Sequence, residues 1–352
     1  MMDINYVISV LKGEKPTYEP EWFNVLSFLD LHRIGGLFFN KIKMLDIDIP
    51  NKVFVALETT YKKQKQRVQI LRSAISEISQ CLIKNNVEHV FLKGSIFSNV
   101  TNELKIYQDG ERSSNDIDIL VKPQNITEVT NALREIGFVQ GKYDEKKHDI
   151  AYFDRVELIK RRMNRGEIAP FIKLTDNPDV PFIEIDINFS LGNIPNEDKN
   201  LLMDMLESRY LYGGKISLYG LDKEMFFIQL IMHQYKESCL YFMVKRRKDL
   251  AIYKLADIYY LLKNNAIDLL RLDRLISQYC LTEKVGTVLY QVAEVFKDKG
   301  IMNHAEKYII KEPLIIDYET RKKFRYAIGI QSRLKLVDPL QYLVEIEDKN
   351  DK

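Results

Sequence analysis

The chain has 352 residues, of which 46% are hydrophobic and 29% charged, with 52 basic and 50 acidic side chains giving a net charge of +2. That length suffices to bury a large core and suggests two domains, while the near balance of charge excludes the strongly basic signature of a dedicated nucleic-acid binder. No uncharged stretch approaches the roughly 20 apolar residues that a membrane span needs.

The N-terminus, Met-Met-Asp-Ile-Asn-Tyr, lacks the basic-then-apolar layout of a secretory signal. Cys81, Cys239 and Cys280 are odd in number and widely spaced, which fits the reducing cytoplasm without a disulfide framework or zinc site. Residues 1–84 read as an N-terminal helical region. Glu21 to His32 places Trp22, Phe23, Val25, Leu26, Phe28 and Leu29 near helical spacing, and Gly35-Gly36 separates it from the next apolar run. Asn51 to Ile83 is long and periodic, with Val53, Leu57, Val68, Leu71, Ile75, Ile78 and Leu82 toward one face. Its Lys62, Lys63, Lys65 and Arg67 read as a solvated face.

Residues 85–220 read as an α/β domain. Val87 to Leu92 is rich in strand formers, and Gly94-Ser95 breaks it before a short helical pattern at Ile96 and Phe97. Asn99 to Glu111, with Asn102, Gln108, Asp109 and Gly110, reads as a surface loop. In Asp116-Ile117-Asp118-Ile119-Leu120-Val121, strand alternation puts Asp116 and Asp118 on one face and Ile117, Ile119 and Val121 on the other. Two carboxylates on one face repel unless a cation sits between them, and Mg²⁺ is the usual answer; a merely solvated face is the alternative. Pro123 to Ile136 predicts a helix ended by Gly137. Ala151 to Phe153, Val156 to Ile159 and Phe171 to Leu174 read as further strands of a small mixed sheet. Phe182 to Phe189 alternates strictly, offering Glu184, Asp186 and Asn188 on one face. Lys160-Arg161-Arg162 with Arg165 is a basic cluster, either a solvated hairpin end or an attraction for phosphate.

Residues 221–352 read as a C-terminal helical domain, with helices at Met225 to Gln234, Leu250 to Leu262, Leu269 to Tyr279 and Val285 to Phe296. His233 reads as a packed residue, and Asp257 as a local cap or a partner of Lys254. Lys245-Arg246-Arg247-Lys248 reads as a solvated turn, with phosphate contact as the alternative. The fold class is thus α+β: a small mixed sheet with flanking helices, an N-terminal helical segment and a C-terminal helical domain.

Leu92-Lys93-Gly94 followed by Arg112-Ser113-Ser114-Asn115-Asp116-Ile117-Asp118-Ile119-Leu120-Val121 resembles a bacterial family of nucleotidyltransferases within the superfamily that includes kanamycin nucleotidyltransferase. In that superfamily a Gly-Ser turn precedes an Asp-x-Asp strand and a third carboxylate follows on a later strand. The chain departs from the pattern in its gap, with 21 positions from Ser95 to Asp116. The resemblance implies that Asp116, Asp118 and Asp186 are catalytic and hold metal, with Glu184 as fallback for the third position; Asp186-Ile187-Asn188-Phe189 fits the family order, although His is commoner where Asn188 stands. It also implies that Gly94, Ser95, Lys93 and Arg112 contact the nucleotide, with two Mg²⁺ ions (or Mn²⁺) as cofactors.

The activity so implied is transfer of a nucleoside monophosphate, AMP for choice, from a triphosphate such as ATP to an acceptor hydroxyl with release of pyrophosphate. Two alternatives stand beside it: a catalytically silent nucleotide-binding module, and a toxin-like enzyme that modifies a protein or a tRNA end. The sequence has no P-loop and no nucleophile-elbow motif. It names neither the acceptor nor the oligomeric state.

Overall fold

The computed structural model describes residues 3–99, 104, 106–112, 114–164, 166–192, 198–335 and 338–346; Asn102, Ser113 and Arg165 lie outside the described residues, as does the side chain of Arg162. By compactness the chain divides into two units, residues 59–229 and residues 1–58 with 230–352. The segments 1–84 and 221–352 therefore each contribute to both units.

The chain opens with α1 (Ile4–Lys12), α2 (Trp22–Leu31) and α3 (Gly35–Met44), followed by the long α4 (Asn51–Lys84). Gly35 and Gly36, read from sequence as a separator, instead form the first turn of α3 and are buried. α3 contacts both α1 and α2. α4 contains neither Gly nor Pro, and it buries the apolar stripe that its periodicity predicts.

The unit of residues 59–229 carries β1 (His89–Phe91), α5 (Gly94–Asn99), β2 (Ile117–Val121), α6 (Ile126–Glu135), β3 (Val139–Asp144), β4 (Asp149–Tyr152), α7 (Arg155–Asn164), β5 (Phe171–Leu174), β6 (Phe182–Asn188), α8 (Lys199–Glu207), β7 (Tyr210–Tyr212) and β8 (Leu218–Gly220). Six strands form one mixed sheet in the order β1-β2-β6-β5-β3-β4, and β7 pairs with β8. Only β2 and β6 run parallel; the other neighbours in the sheet are antiparallel. The core lies on the face of Ile117, Ile119, Ile185 and Ile187, each fully buried. Gly137, at φ +86, follows α6 in the left-handed conformation that the sequence predicts for a helix end.

Val156 to Ile159, expected as a strand, is helical. The Asp154 carboxylate accepts from the Glu157 amide at 2.8 Å, an N-cap that starts α7 and overrides the β-branched residues. The basic run beginning at Lys160 therefore lies on a helix rather than at a hairpin end. Strand β3 and the β7–β8 pair are additions to the sequence reading.

The chain continues through α9 (Lys223–Ser238), α10 (Tyr241–Lys245), α11 (Ile252–Lys263), α12 (Leu269–Gln278), α13 (Thr282–Phe296) and α14 (Lys299–Ala305). The four expected C-terminal helices are present with ends shifted by a few residues. The last stretch is not purely helical: β9 (Ile315–Ile316), β10 (Lys323–Tyr326), α15 (Ile330–Arg333) and β11 (Leu343–Glu345) follow, and the strands form a small antiparallel sheet. Strands of two to four residues are too short to print a period on the sequence. The core of this unit centres on α13, where Val285, Val288, Leu289, Val292 and Phe296 are buried, and Phe296 stacks on Tyr259 at 4.1 Å.

Candidate active site

The parallel pairing of β2 with β6 builds the site. Its register sets Asp118 directly beside Asp186, and Ile117 beside Ile185. Neighbouring residues in register point to the same face of a sheet, so both carboxylates leave the core side together. Glu184 stands two residues before Asp186 on the same face, and Asp116 stands two before Asp118, in the bend that leads into β2. Burial along β6 alternates as its sequence predicts, with Glu184, Asp186 and Asn188 half-buried between buried isoleucines. Asp118 is only 5% exposed.

This concentration of acid is visible in the protonation of each group. Burial raises the pKa of Asp118, and the charges of Asp116 and Glu167 add to it against the pull of Lys93. Asp186 is held well above the usual carboxylate range, first by burial and then by Asp118, Asp116, Glu167 and Glu184. Glu184 is raised by burial and by Asp116, with Arg161 and Arg67 acting the other way. The three carboxylates named from sequence, and the fallback Glu184, thus lie in one mutually repelling group.

The sequence-predicted nucleotide contacts border this group. Between β1 and α5, Lys93 adopts φ +47, and its Nζ donates to Asp118 Oδ1 at 2.6 Å. Burial lowers the Lys93 pKa, but Asp118, Asp116 and Asp186 outweigh it, so the ammonium is held charged. Gly94 begins α5 beneath the Arg112 and Ser114 side chains; a Cβ there would meet both at less than contact distance. Ser95 is buried, and its amide donates to Leu92 O at 3.2 Å, closing the turn. The Arg112 guanidinium lies over the Phe97 ring, 5.3 Å from its centre.

Several supporting residues escape sequence reasoning. Arg67, read as part of a solvated face, donates to Ser114 O at 3.0 Å and Asn115 O at 2.9 Å, fixing the approach to Asp116. Arg72 holds Asp109 at 2.7 Å and Ser98 O at 2.6 Å, and Lys215 also reaches Asp109. Asp109, at the end of the expected surface loop, is therefore an anchor. Glu167 joins the acidic face through a bridge to Asn188. Arg161 pairs with Glu157 at 3.3 Å and sits over the Phe153 ring, while its charge reaches Glu184. The only local signal for any of these is the clustering of basic residues around Arg161.

His233, Asp257 and the run Lys245 to Lys248 belong to the other unit. His233 Nε2 is 3.4 Å from Glu237, and Lys254 pairs with the same carboxylate. Asp257 is buried within α11.

Chemically, a face of carboxylate oxygens offers the hard donors that Mg²⁺ prefers, and its acids outnumber the Lys93 ammonium bonded to it, which fits a cationic ligand. Among the described residues no three carboxylate, imidazole or thiol groups are close enough to hold a metal ion as they stand. No helix among the described residues is long and apolar enough to cross a membrane.

A family model described as an uncharacterised nucleotidyltransferase matches residues 18–297. No curated protein and no solved structure matches the chain at a significant level.

Proposed function

The chain belongs to the uncharacterised nucleotidyltransferase family, and from that premise we propose that it is a metal-dependent enzyme that moves a nucleoside monophosphate, AMP for choice, from a triphosphate to an acceptor hydroxyl. The observation that carries this reading is the β2–β6 register, which sets Asp118 beside Asp186 with Asp116 on the same side. Asp116, Asp118 and Asp186 are the residues that would hold Mg²⁺, with Glu184 as alternative third ligand. Bound there, the metal supplies charge neutralisation for the triphosphate and polarises the attacking oxygen.

The remaining roles fall to the chain itself. Gly94, lacking a side chain, leaves room for the Arg112 guanidinium over the start of α5, where it would meet a phosphate, and the Ser95 hydroxyl adds a donor. The Ser95 amide is already committed to Leu92 O within the turn, so the hydroxyl is that residue's phosphate donor. Lys93 and Arg112 offset phosphate charge. The acceptor oxygen bonds to the α-phosphorus, the bond from that phosphorus to the β-phosphate oxygen breaks, and pyrophosphate leaves. Asp186 takes or relays the proton that the acceptor hydroxyl gives up. We place this reaction in the cytoplasm, in keeping with three free cysteines.

The test is covalent transfer. The protein is incubated with each α-³²P-labelled nucleoside triphosphate, Mg²⁺ and a panel of acceptors (small hydroxyl compounds, protein extract and tRNA), and attached label is measured with pyrophosphate release. Label that attaches to an acceptor supports the proposal. Full turnover by Asp118→Asn would refute the site. Nucleotide that binds without ever becoming attached would leave a silent binding module instead.

A further inference from the structure

We infer that Lys93 is a built-in counter-cation that competes with divalent metal for Asp118, so that metal binds more tightly once a triphosphate tail draws the ammonium away. This rests on the metal-binding reading of the acidic face, and it adds what controls access to that face.

The backbone delivers Lys93 to this position. Its φ of +47 is a conformation that L-residues other than Asn and Asp rarely adopt, so the surroundings must hold it there. They do so from both sides. The Leu92 amide donates to Asp118 O at 3.0 Å, tying the end of β1 to the middle of β2. The Ile96 and Phe97 amides each donate to Lys93 O at 3.1 Å, tying the same residue to the start of α5. From there Nζ reaches Asp118 Oδ1 at 2.6 Å, with the two side chains 17% and 6% exposed.

The charge balance gives this contact its meaning. Asp116, Asp118, Glu167, Glu184 and Asp186 share one face. Arg67 and Arg161 act on the Glu184 end, whereas Lys93 bonds the central carboxylate directly. A metal that used Asp118 would have to bind beside an ammonium already seated on it, and two cations on one carboxylate repel. Withdrawal of Lys93 removes that obstacle. A lysine stem is flexible and its ammonium is a compact point charge, so it can exchange a carboxylate for a nearby phosphate oxygen without backbone movement. The geometry therefore couples metal binding to the arrival of polyphosphate.

Mn²⁺ alone, without nucleotide, is the probe, titrated into the full chain by calorimetry and by the electron paramagnetic resonance signal of free Mn²⁺. Lys93→Met keeps the length of the side chain and removes its charge; it is expected to bind Mn²⁺ at least about tenfold more tightly than the wild type. Lys93→Arg keeps the cation and is expected to stay near the wild-type affinity. The double variant Lys93→Met with Asp118→Asn is expected to lose the gain. Should Lys93→Met be unfolded without metal, its recovery on adding Mn²⁺, followed by circular dichroism, supports the inference. Equal Mn²⁺ affinity in wild type and Lys93→Met would overturn it, as would a Lys93→Met chain that Mn²⁺ cannot restore. The readout contains no transfer step. A chain with Lys93-gated Mn²⁺ binding but no nucleotidyl transfer would sink the proposed activity alone, and an active enzyme with unchanged Mn²⁺ binding would sink this inference alone.

Discussion

Asp118 and Asp249 are both 5% exposed, and each meets a cation at short range: Lys93 at 2.6 Å in one case, Arg333 at 2.7 Å in the other. Their neighbourhoods differ in what else is present. Around Asp249 both signs of charge are present: Arg333 bonds it directly and also reaches Glu312 at 3.6 Å. Tyr326 donates its hydroxyl to the Asp249 carboxylate at 3.0 Å, and the Arg333 guanidinium lies 3.7 Å over the Tyr326 ring. Around Asp118 the single ammonium faces further acids in Asp116, Asp186 and Glu167. A buried charge met by close partners of opposite sign ties a fold together, whereas a buried excess of one sign destabilises it and marks a candidate functional site. The unit of residues 1–58 and 230–352 holds the first kind, and the unit of residues 59–229 the second.

Substitutions should separate the two kinds. Asp186→Asn is expected to lower nucleotidyl transfer by about a hundred- to a thousandfold, as loss of a charged transition-state contact does, while the melting temperature holds or rises because repulsion is relieved. Radiolabel transfer alongside thermal unfolding checks both halves; a large drop in melting temperature would show that Asp186 is structural. Asp249→Ala should do the reverse. It takes from buried Arg333 its 2.7 Å partner and leaves only Glu312 at 3.6 Å, and denaturant unfolding is expected to show a loss of about 3 to 5 kcal/mol.

Acid should weaken both units through their buried histidines. Burial pushes His32 down to about 3 and His89 down to about 4 from the ordinary 6.5. Both are neutral when folded but bind a proton once unfolded, so their contribution is fully present above pH 6.5 and is lost as pH falls toward the folded values. At pH 5 this amounts to about 2 kcal/mol for each histidine. Urea unfolding from pH 7 to pH 5 measures it, and His32→Gln is expected to flatten the slope. The smallest effect is that of Arg67→Ala, about 1 to 2 kcal/mol, since two hydrogen bonds to carbonyls are lost at a partly exposed position. Its sharper signature is loosened hydrogen exchange at 114–116.

How much of this was legible in the sequence depends on whether the information is local. The alternation of Phe182 to Asn188 states directly which side chains share a face, and the structure buries Ile183, Ile185 and Ile187 accordingly. The long stripe of α4 is legible for the same reason. Val156 to Ile159 misleads because β-branched composition competes with a cap, and one carboxylate at Asp154 decides the outcome. The roles of Arg67, Glu167 and Arg72 cannot be read locally, since each acts on residues brought near only by tertiary packing. The joining of residues 1–58 with 230–352 is hidden from a linear reading in the same way, because hydropathy marks buried faces without naming what covers them.

The lateral alignment of β2 and β6 also governs what length changes the chain can tolerate. A single residue inserted between Phe182 and Asp186 would rotate every later side chain of β6 by half a turn. Asp186 would then point into the isoleucine layer, and Ile185 or Ile187 into water. One residue added at the exposed positions 178–179 of the turn leaves the ladder in register and costs only the local bonds that Asn177 makes to the Asp179 and Val180 amides. Insertion scanning across 175–188 should therefore reveal a sharp border at the first rung of the strand, with tolerance on one side and loss of folding on the other.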